Sequence, residues 1–232
     1  MKNALNYEQK DGEAAQSSPV AAIDAQPQKS KKAYYLIKRV FDILFSIIAL
    51  VVSILPMLII SLLVVHESSG APFYVHNRIG RNGKPLRVLK FRTMYANADQ
   101  MVESFTPEQK AEWEENFKLN DDPRITKVGK FLRRSSLDEL PQLWNIIKGE
   151  MSVVGPRPVV AEELERYGDS KDKFLSAPPG LTGYWQAYAR STCSYDQRIK
   201  MELDYVENAN LWWDIKIIFK TVEAVLHTRG AK

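Results

Sequence analysis

The chain has 232 residues, enough for one domain with appendages. Its 32 Lys and Arg against 28 Asp and Glu leave a formal charge of +4, compatible with phosphate ligands, anionic lipid or nucleic acid and selective for none of them. A single cysteine, Cys193, excludes an internal disulfide, and His66, His76 and His227 are too scattered to read as a zinc site, so a reduced, cytosol-facing protein is the default.

Residues 1–32 are rich in Ala, Gln, Ser, Lys and Pro and cannot bury enough apolar surface to offset their ordering entropy, so a disordered tail is expected there. It lacks the order of a signal peptide. Residues 33–66 read as a membrane anchor. Val40–Val65, "VFDILFSIIALVVSILPMLIISLLVV", would make about 39 Å of helix, against a hydrocarbon core of about 30 Å. Pro56 lacks an N–H and is expected to break or kink this helix, with Ser53 three residues earlier able to satisfy a freed carbonyl. Lys38 and Arg39 enter the run, Asp42 interrupts it, and Arg78 to Arg92 follow it with six more basic residues, so no charge asymmetry orients a span. A re-entrant helix-break-helix on the cytoplasmic face is expected, with a kinked single span as the alternative.

Residues 67–232 read as a cytosolic catalytic domain. "FYVHNRIGRNGKPLRVLKFRTM" predicts a β-hairpin around Asn82-Gly83, with Pro85 obscuring the register. Residues 97–120 predict a surface helix or lid. "DDPRITKVGKFLRRSSLDELPQLWNIIKGE" predicts two short helices meeting at Ser135 and Ser136, and "SAPPGLTGYWQAYARS" a Pro/Gly loop. In the last helix Leu211, Ile215, Ile218, Val222 and Val225 form a stripe at helical spacing. That stripe suits packing on the core; with Trp212, Trp213, Lys216 and Lys220 it also suits a helix lying among lipid headgroups.

Adjacent carboxylates, Asp138 and Glu139, lie between leucines two residues before Pro141. Proline is tolerated in a first helical turn, so the following helix is expected to begin at about Asp138 or Glu139. Capping accounts for two acids at such a place, and Ser136-x-x-Glu139 matches a capping box. The neighbours favour more. Lys127, Lys130, Arg133 and Arg134 precede the pair, and Arg157 follows between Pro156 and Pro158, which restrict its backbone. Guanidinium groups bind phosphate oxygens in bidentate fashion. A divalent cation would offset the repulsion between two acids and a phosphate, and a carboxylate can itself attack phosphorus. A nucleotide-sugar hydrolase and a non-enzymatic basic membrane adaptor are the rival readings.

Over about Lys38 to Gly230 the chain resembles the bacterial sugar transferases, the monotopic phosphoglycosyl transferases that start polysaccharide and glycoconjugate assembly. "KRVFDILFSIIALVVSILP", "RIGRNGKPLRVLKFRTM", "DPRITKVGKFLRRSSLDELPQLWNIIKGEMSVVGPRP", "PGLTGYWQ" and "DYVENANLWWDIKIIFKTV" carry the resemblance, in the family's order. It implies an α/β, mainly helical fold: the re-entrant membrane hairpin, a small cytosolic catalytic domain with a β-hairpin, and amphipathic interfacial helices. It implies transfer of a sugar-1-phosphate from a UDP-sugar to undecaprenyl phosphate at the cytoplasmic face of the bacterial inner membrane; no nucleic-acid partner is expected, and the long apolar helices and amphipathic C-terminus leave room for a homodimer. By the same resemblance Asp138 is the nucleophile and the Mg²⁺ ligand, with Glu139 beside it. Arg133 and Arg157 match positions near the phosphates and Arg190 a position on the nucleotide side; Arg92, Arg124 and Arg134 complete the expected basic substrate-binding set. Tyr184-Trp185-Gln186 and Tyr188-Ala189-Arg190 stand where many members have Trp-Ala-Gln and Asn-Gly-Arg, which leaves the donor sugar open.

Overall fold

The computed structural model describes residues 31–116, 119, 121–189 and 193–226. The expected tail lies outside these, apart from Lys31 and Lys32. The first element is a single helix, α1 (Lys31–Glu67), of 37 residues. It is long and apolar enough to cross a membrane, and its axis is about 55 Å long at 1.5 Å per residue. Its amphipathicity is inverted. Lys38, Asp42, Ser46 and Ser53 are buried against the rest of the protein, while Leu36, Val40, Leu44, Ile48, Val52, Leu55 and Leu62 point outward and are each more than half exposed. An outer face this apolar needs a non-aqueous neighbour.

The expected division of this segment into two helices does not appear as an interruption: helix continues through Pro56. One proline deletes one hydrogen bond, and the turns around it keep theirs. Ser53 does not serve the freed carbonyl of Val52 either. Its hydroxyl donates to Leu50 O at 3.2 Å and approaches Met57 Sδ at 3.6 Å.

Both ends of α1 are fastened to the same body. Near its start, Lys38 pairs with Asp214 at 2.9 Å. Arg39 donates to the carbonyls of Ile146 and Ile147 at 2.6 and 2.8 Å, and Asp42 accepts from Val153 N at 2.9 Å. At its end Glu67 accepts from the amides of Lys127 and Val128 at 2.7 and 2.8 Å.

A hairpin follows, β1 (Phe73–Ile79) and β2 (Pro85–Phe91), antiparallel with Ile79 opposite Pro85. The expected turn residues take the left-handed conformation that Asn and Gly tolerate, φ 56° at Asn82 and 74° at Gly83. They sit inside a longer loop, Gly80 to Lys84, closed by a Gly80 N to Lys84 O hydrogen bond of 2.8 Å. The polar stretch after it carries α2 (Ala98–Met101) and α3 (Pro107–Asn116).

The helix pair expected around the serines is present as α4 (Lys127–Ser135) and α5 (Gln142–Lys148). Thr126 caps α4 by accepting from Gly129 N at 2.9 Å. Gly129 is required by close approach, since a Cβ there would lie 2.0 Å from Thr93 O.

Then come β3 (Ser152–Val154), α6 (Ala161–Glu165), α7 (Lys171–Ser176), β4 (Gly180–Thr182) and α8 (Tyr184–Tyr188). The stretch expected to be a Pro/Gly loop therefore holds a strand and a helical turn. β4 pairs in parallel with β3, and a Cβ on Gly180 would meet Gly155 N at 2.1 Å. Glycine permits that strand contact.

The chain closes with α9 (Tyr195–Asn208) and α10 (Leu211–Leu226). Ser194 and Gln197 form a reciprocal capping box on α9. Of the stripe expected on α10, Ile218 packs against the core, but most of the stripe does not. Trp213, Asp214 and Ile217 are buried, whereas Leu211, Ile215 and Val222 are exposed with Trp212, Phe219 and Leu226. α10 is apolar on both sides, so spacing alone could not say which side faces in.

The main core gathers Leu86 and Val88 of β2, Leu143 and Ile146 of α5, Val153 and Val154 of β3, Tyr205 of α9, and Trp213 and Ile217 of α10. A second cluster joins Ile60 and Val64 of α1 to Phe91 and Leu132, with Leu137 and Leu140 packed against it.

Candidate active site

The two leucines flanking the carboxylates explain the site's location. Leu137 and Leu140 pack against the cluster that holds Ile60 and Val64 of α1 with Phe91 and Leu132, so the acids between them are held where α1 meets the rest of the protein. The chain arrives through Ser136, which ends α4 in the left-handed conformation at φ 58°. A non-glycine residue held there stores about 1 kcal/mol of backbone strain, a cost often found at functional sites.

The acids then lie on a 3-10 turn, Leu137–Glu139, and α5 starts only at Gln142. This corrects the expected helix start. Pro141 is the residue before α5, and Ser136 makes no side-chain capping bond. A left-handed residue cannot also be the extended N-cap that a capping box needs.

Asp138 is 9% exposed. Glu139 beside it accepts from Lys90 Nζ at 2.7 Å, while the same ammonium stands 4.0 Å from Asp138 Oδ2. Arg157 Nη1 is 4.0 Å from Glu139 Oε1 on the other side. Burial, and secondarily the charge of Glu139, push the Asp138 carboxyl up to about 6, with Lys90 and Arg133 pulling the other way. It is still ionised at neutral pH. A partly desolvated, ionised carboxylate with its neighbour already engaged is a competent nucleophile.

A small cleft open to solvent lies beside the turn, lined by Arg78, Lys90, Glu139, Gln142, Arg157 and Gln186 among others. Its field is positive. His76, on the β1 strand that carries Arg78, is driven down to about 4 by burial and then by the charges of Arg78, Lys90 and Arg157. Such a cleft favours an anion such as a diphosphate.

The expected basic residues divide. Arg157 lines the cleft. Arg133 stands beside the dyad, its charge acting on Asp138 while its Nε donates to Thr93 Oγ1 at 2.9 Å. Arg134 is exposed in the last turn of α4. Arg124 is buried and forked onto Asp122 at 2.9 and 2.7 Å. Arg92 donates to the carbonyls of Ser68 and Ser69, just past the C-terminal end of α1, where a cation complements the helix dipole. Arg92 and Arg124 thus already have partners within the protein, and residue type alone cannot distinguish such ties from phosphate binding. Arg190 lies outside the described residues.

Sequence reasoning misses Lys90, Arg78 and Gln142. Strand alternation is the signal for the first: Leu86, Val88 and Lys90 share one face of β2, and the first two enter the core.

Among the described residues no group of three or more His, Cys, Asp or Glu side chains is placed to hold a metal ion. Glu139 is engaged by Lys90, which leaves Asp138 as the available carboxylate. One carboxylate fits Mg²⁺, which typically takes one or two from the protein and the rest of its oxygens from phosphate and water.

Residues 33–228 match the family model for bacterial sugar transferases. The chain is 46% identical over 205 residues to a UDP-galactose-lipid carrier transferase of Erwinia amylovora, covering 87% of this chain and 43% of that protein. It is 45% identical over 218 residues to an undecaprenyl-phosphate galactose phosphotransferase of Salmonella typhimurium, covering 93% of this chain and 46% of that one. Against the exopolysaccharide production protein ExoY of Sinorhizobium fredii it is 48% identical over 197 residues, which cover 84% and 87% of the two chains. The chain thus spans less than half the length of the first two relatives and most of the third.

Proposed function

The chain belongs to the bacterial sugar transferase family, and on that premise we propose that it moves a sugar-1-phosphate from a UDP-sugar to a polyprenyl phosphate such as undecaprenyl phosphate, releasing UMP. The observation that carries the reading is a buried carboxylate, Asp138, beside a cleft walled by Arg78, Lys90 and Arg157. The names of the Erwinia and Salmonella relatives supply the lipid carrier and galactose as the first sugar to test.

In the first half-reaction a carboxylate oxygen of Asp138 attacks the sugar-bearing phosphorus. The bond from that phosphorus to the bridging oxygen breaks, and UMP leaves with the oxygen. In the second, a phosphate oxygen of the polyprenyl phosphate attacks the same phosphorus and the Asp138 carboxylate departs unchanged. Lys90 and Arg157 hold the diphosphate, while Glu139, fixed by Lys90, orients the nucleophile or takes a proton from the acceptor phosphate. Asp138 and the donor's phosphate oxygens would hold Mg²⁺, which when bound offsets the diphosphate charge.

The outward apolar face of α1 supports a place in the bilayer. The attachment of both its ends to one body supports a re-entrant helix, because a simple span would carry its ends to opposite sides, and we place that body on the cytoplasmic face. The exposed apolar face of α10, with Lys216 and Lys220 nearby, suits the headgroup layer. An isoprenoid acceptor stays in the membrane, so an enzyme anchored there meets it.

The test is purified protein, Mg²⁺ and a panel of UDP-sugars, followed by UMP release and intact mass. A phosphosugar adduct on Asp138, discharged by polyprenyl phosphate, is expected. UMP formed steadily without lipid phosphate would instead favour a hydrolase, and neither product from any donor would remove the transferase reading.

A further inference from the structure

Behind the cleft, the two arginines that line it are tied to each other through a chain of charged groups. Arg78 Nη1 lies 3.3 Å from Glu163 Oε1. Arg198 Nη2 lies 3.3 Å from the other oxygen of the same carboxylate. From there Arg198 Nε stands 3.9 Å from Glu202 Oε1, an ion pair without a hydrogen bond, and Glu202 Oε2 accepts from the backbone N of Arg157 at 2.9 Å. The chain runs Arg78, Glu163, Arg198, Glu202, Arg157, and it begins and ends in the cleft wall.

The middle of the chain is buried and held from the sides. Glu202 is 2% and Arg198 8% exposed. The Arg198 guanidinium lies over the rings of Trp185 and Tyr195 at 4.5 and 5.0 Å, and the Tyr195 hydroxyl is 3.4 Å from Glu163 Oε2. A charge so enclosed cannot relax toward water and keeps one geometry. The outermost carboxylate, Glu163, retains a side chain 30% exposed. Fold stability alone does not call for this arrangement, since buried ion pairs are weak stabilisers compared with apolar packing.

We propose that Arg198 is a positioning residue that, through Glu163 and Glu202, sets the placement of Arg78 and Arg157 and so the cleft's grip on the donor's diphosphate. The inference rests on the transferase reading for the identity of the ligand, and it assigns Arg198, Glu163 and Glu202 no contact with substrate. Two cations bind a diphosphate well only when their spacing matches its oxygens, and an unbraced arginine spends its binding energy on being ordered.

The test titrates UDP, with Mg²⁺ present, into the full-length protein in lipid nanodiscs. Arg198→Gln and Glu163→Gln should each weaken UDP binding on the order of tenfold, and Arg198→Lys, which keeps the charge but loses the planar fork, by an intermediate amount. Adding Glu163→Gln to Arg78→Gln should cost little more than Arg78→Gln alone, because the carboxylate acts through that arginine. KM for the UDP-sugar should rise with kcat nearly constant, and KM for polyprenyl phosphate should stay put. Should Arg198→Gln fail to fold, the loss in Arg198→Lys and the Glu163 and Arg78 cycle decide together, Glu163 being partly exposed. UDP binding by Glu163→Gln within about twofold of wild type, or additive losses in the cycle, overturns the inference. Wild-type protein that binds UDP yet transfers no sugar-phosphate overturns the transferase reading and leaves the brace standing; wild-type protein that binds no UDP overturns both.

Discussion

Lys90 Nζ donates to Glu139 Oε1 at 2.7 Å and stops 4.0 Å short of Asp138. One ammonium from the hairpin thus engages one acid of the pair closely and leaves the other nearly free. Lys90→Met should remove that division. Glu139 would face Asp138 unneutralised, and the diphosphate would lose a cation. Turnover is expected to drop by about 100-fold, the scale of losing one preorganised charge at a reacting centre. Steady-state UMP release measures it, and a loss under about threefold would take Lys90 out of the site.

Asp138 has a stability signature as well as a catalytic one. Its carboxyl is raised in the folded protein from 3.8 to about 6, so above pH 6 both states are ionised, but the folded state holds the charge where burial disfavours it. The penalty is full there, shrinks as pH falls through 6, and is gone below about 4. Asp138→Asn should therefore abolish the adduct while raising stability at pH 8 without Mg²⁺ by up to ~3 kcal/mol. The gain should fade in melts toward pH 4.

In the wild type the same shift predicts that adduct formation falls about tenfold per pH unit below pH 6, as the attacking form is lost. Added Mg²⁺ favours the ionised carboxylate and should move that fall to lower pH. Single-turnover adduct yields across pH, with and without the cation, check both statements.

The start of α1 is pinned by a buried ion pair. Lys38 and Asp214 are 4% and 5% exposed, and Asp214 also accepts from Tyr34 and Tyr205 at 3.0 and 2.7 Å. Asp214→Ala strands the lysine and should cost about 3–5 kcal/mol. Lys38→Met with Asp214→Leu should recover most of it in thermal or denaturant melts.

Anchor topology is open to direct labelling. With Cys193 replaced by serine, cysteines at Lys32 and Ser69 should both react with an impermeant reagent from the cytoplasmic side. Labelling from opposite sides would show a simple span.

Much of this protein is legible locally. A long apolar run with few polar interruptions predicts one long helix, and its outer residues are of a kind that favours a non-aqueous neighbour. Asn82-Gly83 between apolar strands forces a hairpin, because only such residues take positive φ cheaply. The paired acids beside Pro141, with basic segments around them, single out the turn in the sequence; the start of α5 is not legible there, because the acids sit on a 3-10 turn and the helix begins at Gln142.

What the tertiary structure decided is which charge serves which purpose. Lys90 and Glu139 are 49 residues apart, and no spacing rule joins them. Arg92 and Arg124 look like Arg157 along the chain; packing buries Arg124 on Asp122 and turns Arg92 onto the carbonyls after α1, leaving Arg157 for the cleft. Helix α10 could have turned either apolar side inward, and the fit of Trp213 and Ile217 to the core chose one. Backbone propensity acts over a few residues and is written in sequence order. The partner of a long, flexible cation is selected by whatever the fold brings within 3 or 4 Å, and the chain acquires that only when it is packed.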